Sequence, residues 1–428
     1  MKYYADFHIH SRFSRATSRD LNLEQLSLWA RLKGLDVIST GDCIHPQWLK
    51  ELKQKLEPAE PGFFRLKKEY DTLAARQLPK ACQKEMRFLL TGEISNIYKK
   101  DDKVRKVHNV IFLPGFDVAD IVQKKLDAIG NIRSDGRPIL GLDSRDLLEI
   151  VLESNPLSYL VPAHIWTPWF SALGSRGGFD SVAHCFGDLT EHIFAVETGL
   201  SSDPPMNWRL SQLDPYVMIS CSDAHSAPKL GREATIFDGD YSYPGILESL
   251  RAAGNPGLVG TVEFFPQEGK YHFDGHRNCQ TRLHPAETAK HKGLCPVCGK
   301  PVTVGVMARV EELADHPEGR RSPKARPFFS LIPLPEIIAA ARETGSNTRG
   351  VQQLYFKMLG NLGNEMAILN DLPLDIIEKT AGSLITEGIR RVRSGDVRIA
   401  AGYDGEYGQI DIFSESERQT AKEQMTLF

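Results

Sequence analysis

Six short apolar runs punctuate the first half of the chain: LDVIST (35–40), MRFLLTGE (86–93), HNVIFLP (108–114), YLVPAHI (159–165), IFAVETGL (193–200) and VMISCSD (217–223). Helical patterns separate them, and such alternation predicts a parallel α/β domain, open or barrel-shaped, over residues 1 to about 235. Functional sites of parallel α/β folds form at the carboxyl ends of strands. Here those ends carry His8, His10, Asp42, Glu93, His164, Glu197, Asp223 and His225, while His108 starts its own run.

The opening stretch DFHIHSRFSRATS shows what such ends are for. In an extended strand, residues i and i+2 point to the same side, so His8 and His10 present both rings at one place. That makes them a ligand pair or two core histidines. A lone strand-end histidine is more often structural. A catalytic divalent cation, however, needs several imidazoles and carboxylates from different strands, with coordination left open for water. The supply is His8, His10, Glu93, His108, His164 and Asp223, with Asp42, His45 and His225 in reserve. Two close cations lower the pKa of a bound water and stabilise the entering and leaving oxygens of a phosphoester, so no Ser or Cys nucleophile is needed.

At 428 residues the chain predicts two or three domains. With 41% hydrophobic and 25% charged residues it has a soluble composition, and its net charge of −3 excludes no partner. No run of eighteen apolar residues and no signal-peptide pattern occurs, so no membrane association and a cytoplasmic location are expected. Four of the seven cysteines, Cys43, Cys82, Cys185 and Cys221, sit singly and read as small core residues. The expected divisions are a catalytic domain (1–240), a small metal-binding domain (250–325), a helical domain (330–400; LPEIIAAARE, VQQLYFKMLG, LDIIEKTAGSLITEGIRRVRSG) and a flexible tail (401–428).

The middle segment contains CPVCGK, a knuckle whose Cys295 and Cys298 can grip one side of a tetrahedral ion. HRNC supplies His276 and Cys279 at the same spacing, which predicts a Cys₃His structural zinc site, with His272, His284 or His291 as substitutes for His276. Basic residues surround the knuckle (Lys270, Arg277, Arg282, Lys290, Lys292, Lys300) and recur at Arg309, Arg320, Arg321, Lys324 and Arg326, then at Arg390, Arg391, Arg393 and Arg398. They form either a phosphate-binding face or a solvated surface. QMTLF (Gln424 to Phe428, with Leu427) follows a polar stretch as a docking peptide or a frayed end.

DFHIHS, GDCIH, GE at Glu93, VH at His108, AH at His164 and CSDAH at Asp223 and His225 resemble the motifs of the PHP (polymerase and histidinol phosphatase) metallohydrolases. With HRNC…CPVCGK, VEELADHPEG and LPEIIAAARETG, the resemblance narrows to the endonuclease Q family over nearly the whole chain. It implies a distorted β/α barrel in which His8, His10, Glu93 and Asp223 hold one ion and Glu93 bridges to a second held by His108 and His164. The family's second motif has adjacent Asp and His, whereas Cys43 and Ile44 split Asp42 from His45. Asp42, His45 and His225 therefore hold a third ion or contact the phosphate and leaving group, and Arg12 and Arg15 are either further phosphate ligands or part of a solvated loop.

The resemblance implies two or three divalent ions (Zn²⁺, Mn²⁺ or Mg²⁺) beside the structural zinc. It implies incision of double- or single-stranded DNA 5′ to uracil, hypoxanthine, xanthine or an abasic site, leaving 3′-hydroxyl and 5′-phosphate ends. A base tested in this way must leave the stack. Trp166, Trp169 and Phe170, with Ser201 and Ser202, are the candidate pocket walls, the alternative being core packing and a turn. QMTLF resembles the peptide with which bacterial replication and repair proteins bind the sliding clamp. Two other readings compete: a small-molecule phosphatase of the histidinol phosphatase type, and a non-catalytic clamp-associated scaffold.

Overall fold

A computed structural model describes residues 1–252, 254–414 and 417. The strand Lys2–Asp6 pairs in parallel with Val37–Ser39, which pairs in parallel with Arg87–Lys100. On its other side Lys2–Asp6 runs antiparallel to Ala234–Asp238. Arg87–Lys100 continues antiparallel to Lys103–Leu113, and that strand antiparallel to Tyr159–Pro162. A separate parallel pair, Ala195–Glu197 and Val217–Ile219, fills the remaining gap. The Ile165 N–H donates to the Glu197 carbonyl (3.1 Å) on one side, and Thr235 Oγ1 donates to the Ser220 carbonyl (3.0 Å) on the other. The strands thereby close into a distorted ring.

The ring is mixed where parallel pairing was expected, and the reason is local. MRFLLTGE and HNVIFLP are joined by a two-residue turn in which Asp101 and Asp102 take φ of 53° and 57°. Two successive left-handed residues make the turn whose twist suits a hairpin. The ring also extends beyond the expected domain boundary, because Leu258–Glu263 pairs with Ala234–Asp238 and Phe328–Ser330 pairs with Leu258–Glu263. Inside, side chains from successive strands, among them Ala5, Phe7, Phe112, Val161, Ala195, Ile219 and Phe237, form a dry plug. The ligand-bearing ends stand over it.

Helices cover the outside. Leu23–Lys33 starts where Asn22 accepts from the Gln25 N–H and stops at Gly34 with φ 90°. At its end Lys33 enters the helical unit Leu334–Ser394, 2.7 Å from Glu365, with both side chains almost fully buried. Glu365 also accepts from Tyr355 Oη (2.7 Å) and the Leu334 N–H (3.0 Å), so both oxygens of its buried carboxylate are engaged. Residues 401–411, expected in the flexible tail, instead belong to a hairpin, Arg398–Ala400 with Gln409–Asp411, and Ile412 and Phe413 are buried behind it. QMTLF lies outside the described residues. Among the described residues no helix is long and apolar enough to cross a membrane.

Candidate metal centre

His8 and His10 lie just past the strand Lys2–Asp6, tied by a bridge between Ile9 and Ala224. Both are buried and built alike. His8 Nδ1 lies 2.9 Å from Glu197 Oε2, and its Nε2 lies 3.4 Å from Glu93 Oε2 and 3.7 Å from Asp223 Oδ1. His10 Nδ1 faces Asp42 Oδ1 (3.3 Å), and its Nε2 lies 3.0 Å from Asp223 Oδ1 and 3.3 Å from Glu93 Oε2. In each ring one nitrogen is oriented by a carboxylate and the other is aimed at the Glu93–Asp223 pair, the arrangement that fixes a ligand's tautomer.

The second oxygen of Glu93 faces the other way. His108 Nδ1 is 2.6 Å and His164 Nε2 3.3 Å from Glu93 Oε1, and these two ring nitrogens are 3.3 Å apart. His8, His10, Glu93 and Asp223 thus form one compact donor group, and Glu93, His108 and His164 a second. These donors fit divalent cations: the buried Nε2 of His8 has no hydrogen-bond partner, and the His108 and His164 nitrogens converge on one carboxylate oxygen. Against the cost of burial, Glu197 and Glu93 hold the His8 pKa well above the usual imidazole value, so a cation bound there would displace a proton from His8. Burial instead pushes His108 down to about 4, leaving it neutral as a ligand must be.

Backbone strain marks the same place. Asp42, His164 and Asp223 have φ of 48°, 28° and 47°, a region non-glycine residues seldom occupy and one that clusters at functional sites. Gly199 sits against His164 so closely that a Cβ would overlap the histidine's own Cβ. Gly136 does the same for Asp42 and Ser14.

Several expected roles are not those the structure gives. His45 caps the helix Pro46–Lys55: its Nδ1 accepts from the Trp48 N–H (3.4 Å) and its Nε2–H donates to the Arg133 carbonyl (3.0 Å), so neither nitrogen is left for an ion or substrate. Asp42 is fully buried and accepts from the Ser11 N–H, both Ser11 and Ser14 hydroxyls and His10, which makes it a positioning residue. Trp166 is a core residue whose Nε1–H donates to Asn207 (2.7 Å), and Ser202 is buried with its hydroxyl donating to the Thr198 carbonyl (2.8 Å). Arg12 and Arg15, by contrast, keep exposed guanidinium surface, Arg12 beside Glu51 (2.5 Å) and over Phe13 and Trp48, and Arg15 beside Asp135 (3.3 Å). The remaining candidates stay at the mouth. His225 lies with its ring 4.6 Å from that of His10, and Phe170 covers His108 at 4.7 Å. Trp169 and Ser201 line a cavity of about 750 Å³ with Arg232, Lys270, Tyr271 and Tyr407.

Two residues of the centre went unassigned in the sequence. Glu197, which ends IFAVE, orients His8 and also accepts from the His164 N–H (2.9 Å). Its strand-end position was the available signal. Arg137 places Nη1 3.2 Å from Glu93 Oε2 and is three-quarters shielded from solvent. Nothing in SDGRP distinguishes it from a turn.

In the middle segment the hairpin Asp274–His276 with Thr281–Leu283 brings His276 and Cys279 to the knuckle, where Cys298 Sγ is 3.4 Å from His276 Nδ1. His276, Cys279, Cys295 and Cys298 make a third compact donor group, whereas His284 caps the helix Pro285–Lys290 and His272 is buried elsewhere. Despite burial, the Thr281 hydroxyl and the Cys298 and Val297 N–H groups bring the Cys295 thiol down to about 6, favouring the thiolate. Many expected phosphate-binding arginines are engaged internally: Arg309 with Asp180 and the Leu173 carbonyl, Arg320 with Asp214, Arg390 with Glu387, Arg391 with Glu387 and Glu417, and Arg393 with the Leu369 and Ile368 carbonyls.

Behind Glu197 lies a buried acid with another role. Glu263 accepts from Thr198 (3.1 Å) and Ser220 (2.9 Å), its Oε1 has no partner, and burial raises its pKa to about 8. The folded chain therefore keeps a proton that the unfolded chain releases near pH 4.5, so this group's contribution to stability is lost as pH rises towards 8, at up to about 1.4 kcal/mol per pH unit. Glu263→Gln is expected to flatten the fall in urea midpoint between pH 5 and 8. An unchanged slope would mean that Glu263 is ionised in the fold.

A ring of strands carrying two donor groups that share one carboxylate defines a metal-dependent hydrolase of the PHP class. The chain is 30% identical to the lesion-specific endonuclease of Pyrococcus furiosus, with a TM-score of 0.83 over 97% of this chain and 96% of that one. It belongs to the endonuclease Q family. A second endonuclease Q structure, a complex with a 27-mer duplex substrate bearing an abasic lesion at the active site, is 30% identical with a TM-score of 0.81, covering 97% of this chain and 98% of that one.

The uncharacterized protein YqxK of Bacillus subtilis is 28% identical over 424 residues, 96% of this chain and 99% of that protein. The uncharacterized protein MJ0043 of Methanocaldococcus jannaschii is 33% identical over 272 residues, 61% of this chain, and the match spans only 33% of that relative's length. Residues 333–396 match the MJ0043 C-terminal domain family.

Proposed function

We propose that this chain is a DNA repair endonuclease that hydrolyses the phosphodiester 5′ to a deaminated base (uracil, hypoxanthine or xanthine) or an abasic site. The observation that carries this reading is the placement of Glu93 between two donor groups in a chain that matches a lesion-specific endonuclease along nearly its whole length. Divalent ions held by His8, His10, Glu93 and Asp223, and by Glu93, His108 and His164, would activate water and neutralise the phosphate.

The protein's own groups do the rest. Glu197 and Asp42 keep His8 and His10 in the tautomer that directs Nε2 inward. Arg137 stands beside Glu93 to take a non-bridging phosphate oxygen as charge develops there. His225 donates its Nδ1–H to the Asp223 carbonyl (2.8 Å) and burial holds its pKa down, which leaves an unprotonated Nε2 at the mouth to take the proton that the attacking water loses, while the departing 3′-oxygen is protonated from solvent. Water adds to phosphorus, the P–O3′ bond breaks, and the products are a 3′-hydroxyl and a 5′-phosphate. The flipped base enters the 750 Å³ cavity beside Trp169 and Ser201.

The cysteine group would hold a structural zinc, and the helical unit would add DNA contacts. A histidinol-type phosphatase would share the donor groups but has no use for the knuckle segment. A scaffold without catalysis would not retain both donor groups whole.

The test is a set of duplexes each bearing one uracil, hypoxanthine, xanthine or abasic site, incubated with Mn²⁺, Mg²⁺ or Zn²⁺ and read for scission and end groups. Failure to nick any of them, with hydrolysis of small phosphate monoesters instead, would favour the phosphatase. Arg137→Ala is expected to lower kcat by roughly a hundredfold, the scale of one lost electrostatic contact in the transition state, with lesion binding little changed. A matched fall in affinity would make Arg137 a substrate-binding group only. Deletion of Gln424 to Phe428 should spare nicking and remove binding to immobilised sliding clamp, and retained clamp binding would place that contact elsewhere.

A further inference from the structure

A second groove adjoins the cavity beside the metal centre. Its volume is about 370 Å³, within the usual range for ligand sites, and Arg277, Arg282, Tyr403, Tyr407 and Gln409 line it. Tyr407 borders both spaces and is 74% exposed. A line of rings leads to it from the metal centre. Phe170 lies on His108, its neighbour Trp169 meets Tyr271 edge-on at 5.9 Å, and Lys270 Nζ lies 5.7 Å from the Tyr271 ring and 5.8 Å from Tyr407.

The cations here are less engaged than Arg309, Arg320, Arg390, Arg391 and Arg393. Arg277 has only a long contact with Glu406 (3.9 Å) and is more than half exposed, and Arg282 spends one nitrogen on the Ala401 carbonyl (3.0 Å). Two exposed rings, Trp169 and Tyr407, with exposed cations between and beside them are what a single nucleic-acid strand binds: bases stack on the rings and phosphates meet the cations. A paired duplex keeps its bases stacked on one another and offers no free face to a phenol ring.

We infer that the Tyr407 groove holds an unpaired stretch of the DNA strand flanking the lesion, with a base stacked on Tyr407 and its phosphate on Arg277. This rests on the endonuclease reading for the strand's identity. It goes beyond it by requiring melted DNA over the metal-binding segment, outside the cavity that takes the lesion itself. The hairpin Arg398–Ala400 with Gln409–Asp411, which carries Tyr407 in its connection, thereby becomes a strand-holding arm.

The experiment uses the full metal-loaded chain and two probes. One is a lesion-free single strand containing one 2-aminopurine, and the other is a duplex with one abasic site. Wild type is expected to quench the 2-aminopurine. Tyr407→Ala is expected to lose the quench and weaken single-strand binding by roughly tenfold, the scale of one lost stack, with Tyr407→Phe retaining both. Arg277→Ala should reduce the slope of log affinity against log salt by about one. Affinity, quench and salt slope within twofold of wild type in both alanine variants would overturn the proposal. If wild type nicks the abasic duplex while single-strand binding ignores Tyr407, the groove assignment fails and the endonuclease reading stands. If wild type does not nick but the Tyr407 dependence appears, the reverse holds. A chain that neither nicks nor binds the single strand overturns both.

Discussion

Asp223→Asn is expected to abolish nicking of lesion-bearing duplex while leaving DNA affinity within a few-fold of wild type. Asp223 Oδ1 faces both His8 and His10. Replacing the carboxylate by an amide removes a negative charge and turns one acceptor into a donor pointed at the same nitrogens. Loss of an outer carboxylate that only orients a ligand costs roughly 10- to 100-fold in metal affinity or activity, and loss of the ligand itself should cost more. Glu197→Gln supplies the internal comparison, since Glu197 touches His8 Nδ1 and not the donor face. Its defect should fall in that smaller range and be recovered by raising the metal concentration, whereas the Asp223→Asn defect should not. Equal, metal-recoverable losses in both would move Asp223 out of the ligand set.

The second large effect is expected in the middle segment. Cys298→Ser should remove one zinc per chain and render residues 272–303 sensitive to protease while the strand ring stays folded. Cys298 is exposed, so the serine creates no cavity, and any loss of structure is attributable to the ion. The segment has only a small apolar nucleus, Leu283, Cys295 and Val302 with Cys279 beside it. Small metal-held folds of this kind draw roughly 10 kcal/mol or more from zinc, far beyond what three residues can bury. A Cys298→Ser chain with native zinc content and native protease resistance would show that the four side chains hold no structural ion.

The sequence was informative where chemistry and periodicity coincide. All six apolar runs contain strands, and the residues that converge are those closing the runs of one direction, joined by His108, which starts the run that crosses in the opposite direction. The His-Cys-Cys-Cys group was legible because two short spacings each make a knuckle. Strand direction was not, since the Asp101–Asp102 turn depends on backbone angles that two aspartates do not announce. Burial was also hidden. Trp166 and Trp169 lie three residues apart in one loop, yet one is sealed in the core and the other half open to a cavity, a difference set by distant Asn207 and Tyr271. Arg137 escaped notice because a single arginine has no period and its partner Glu93 is 44 residues away.

The contact between Lys33 and Glu365 bears on how this architecture can be taken apart. A fragment ending before residue 333 would leave a lysine ammonium facing a hydrophobic scar, and the excised helices would carry a carboxylate in the same plight. Removing one partner of a dry ion pair typically costs about 3–5 kcal/mol, so neither half is a ready-made module. Chimeras that graft these helices onto another barrel must transplant the lysine with them.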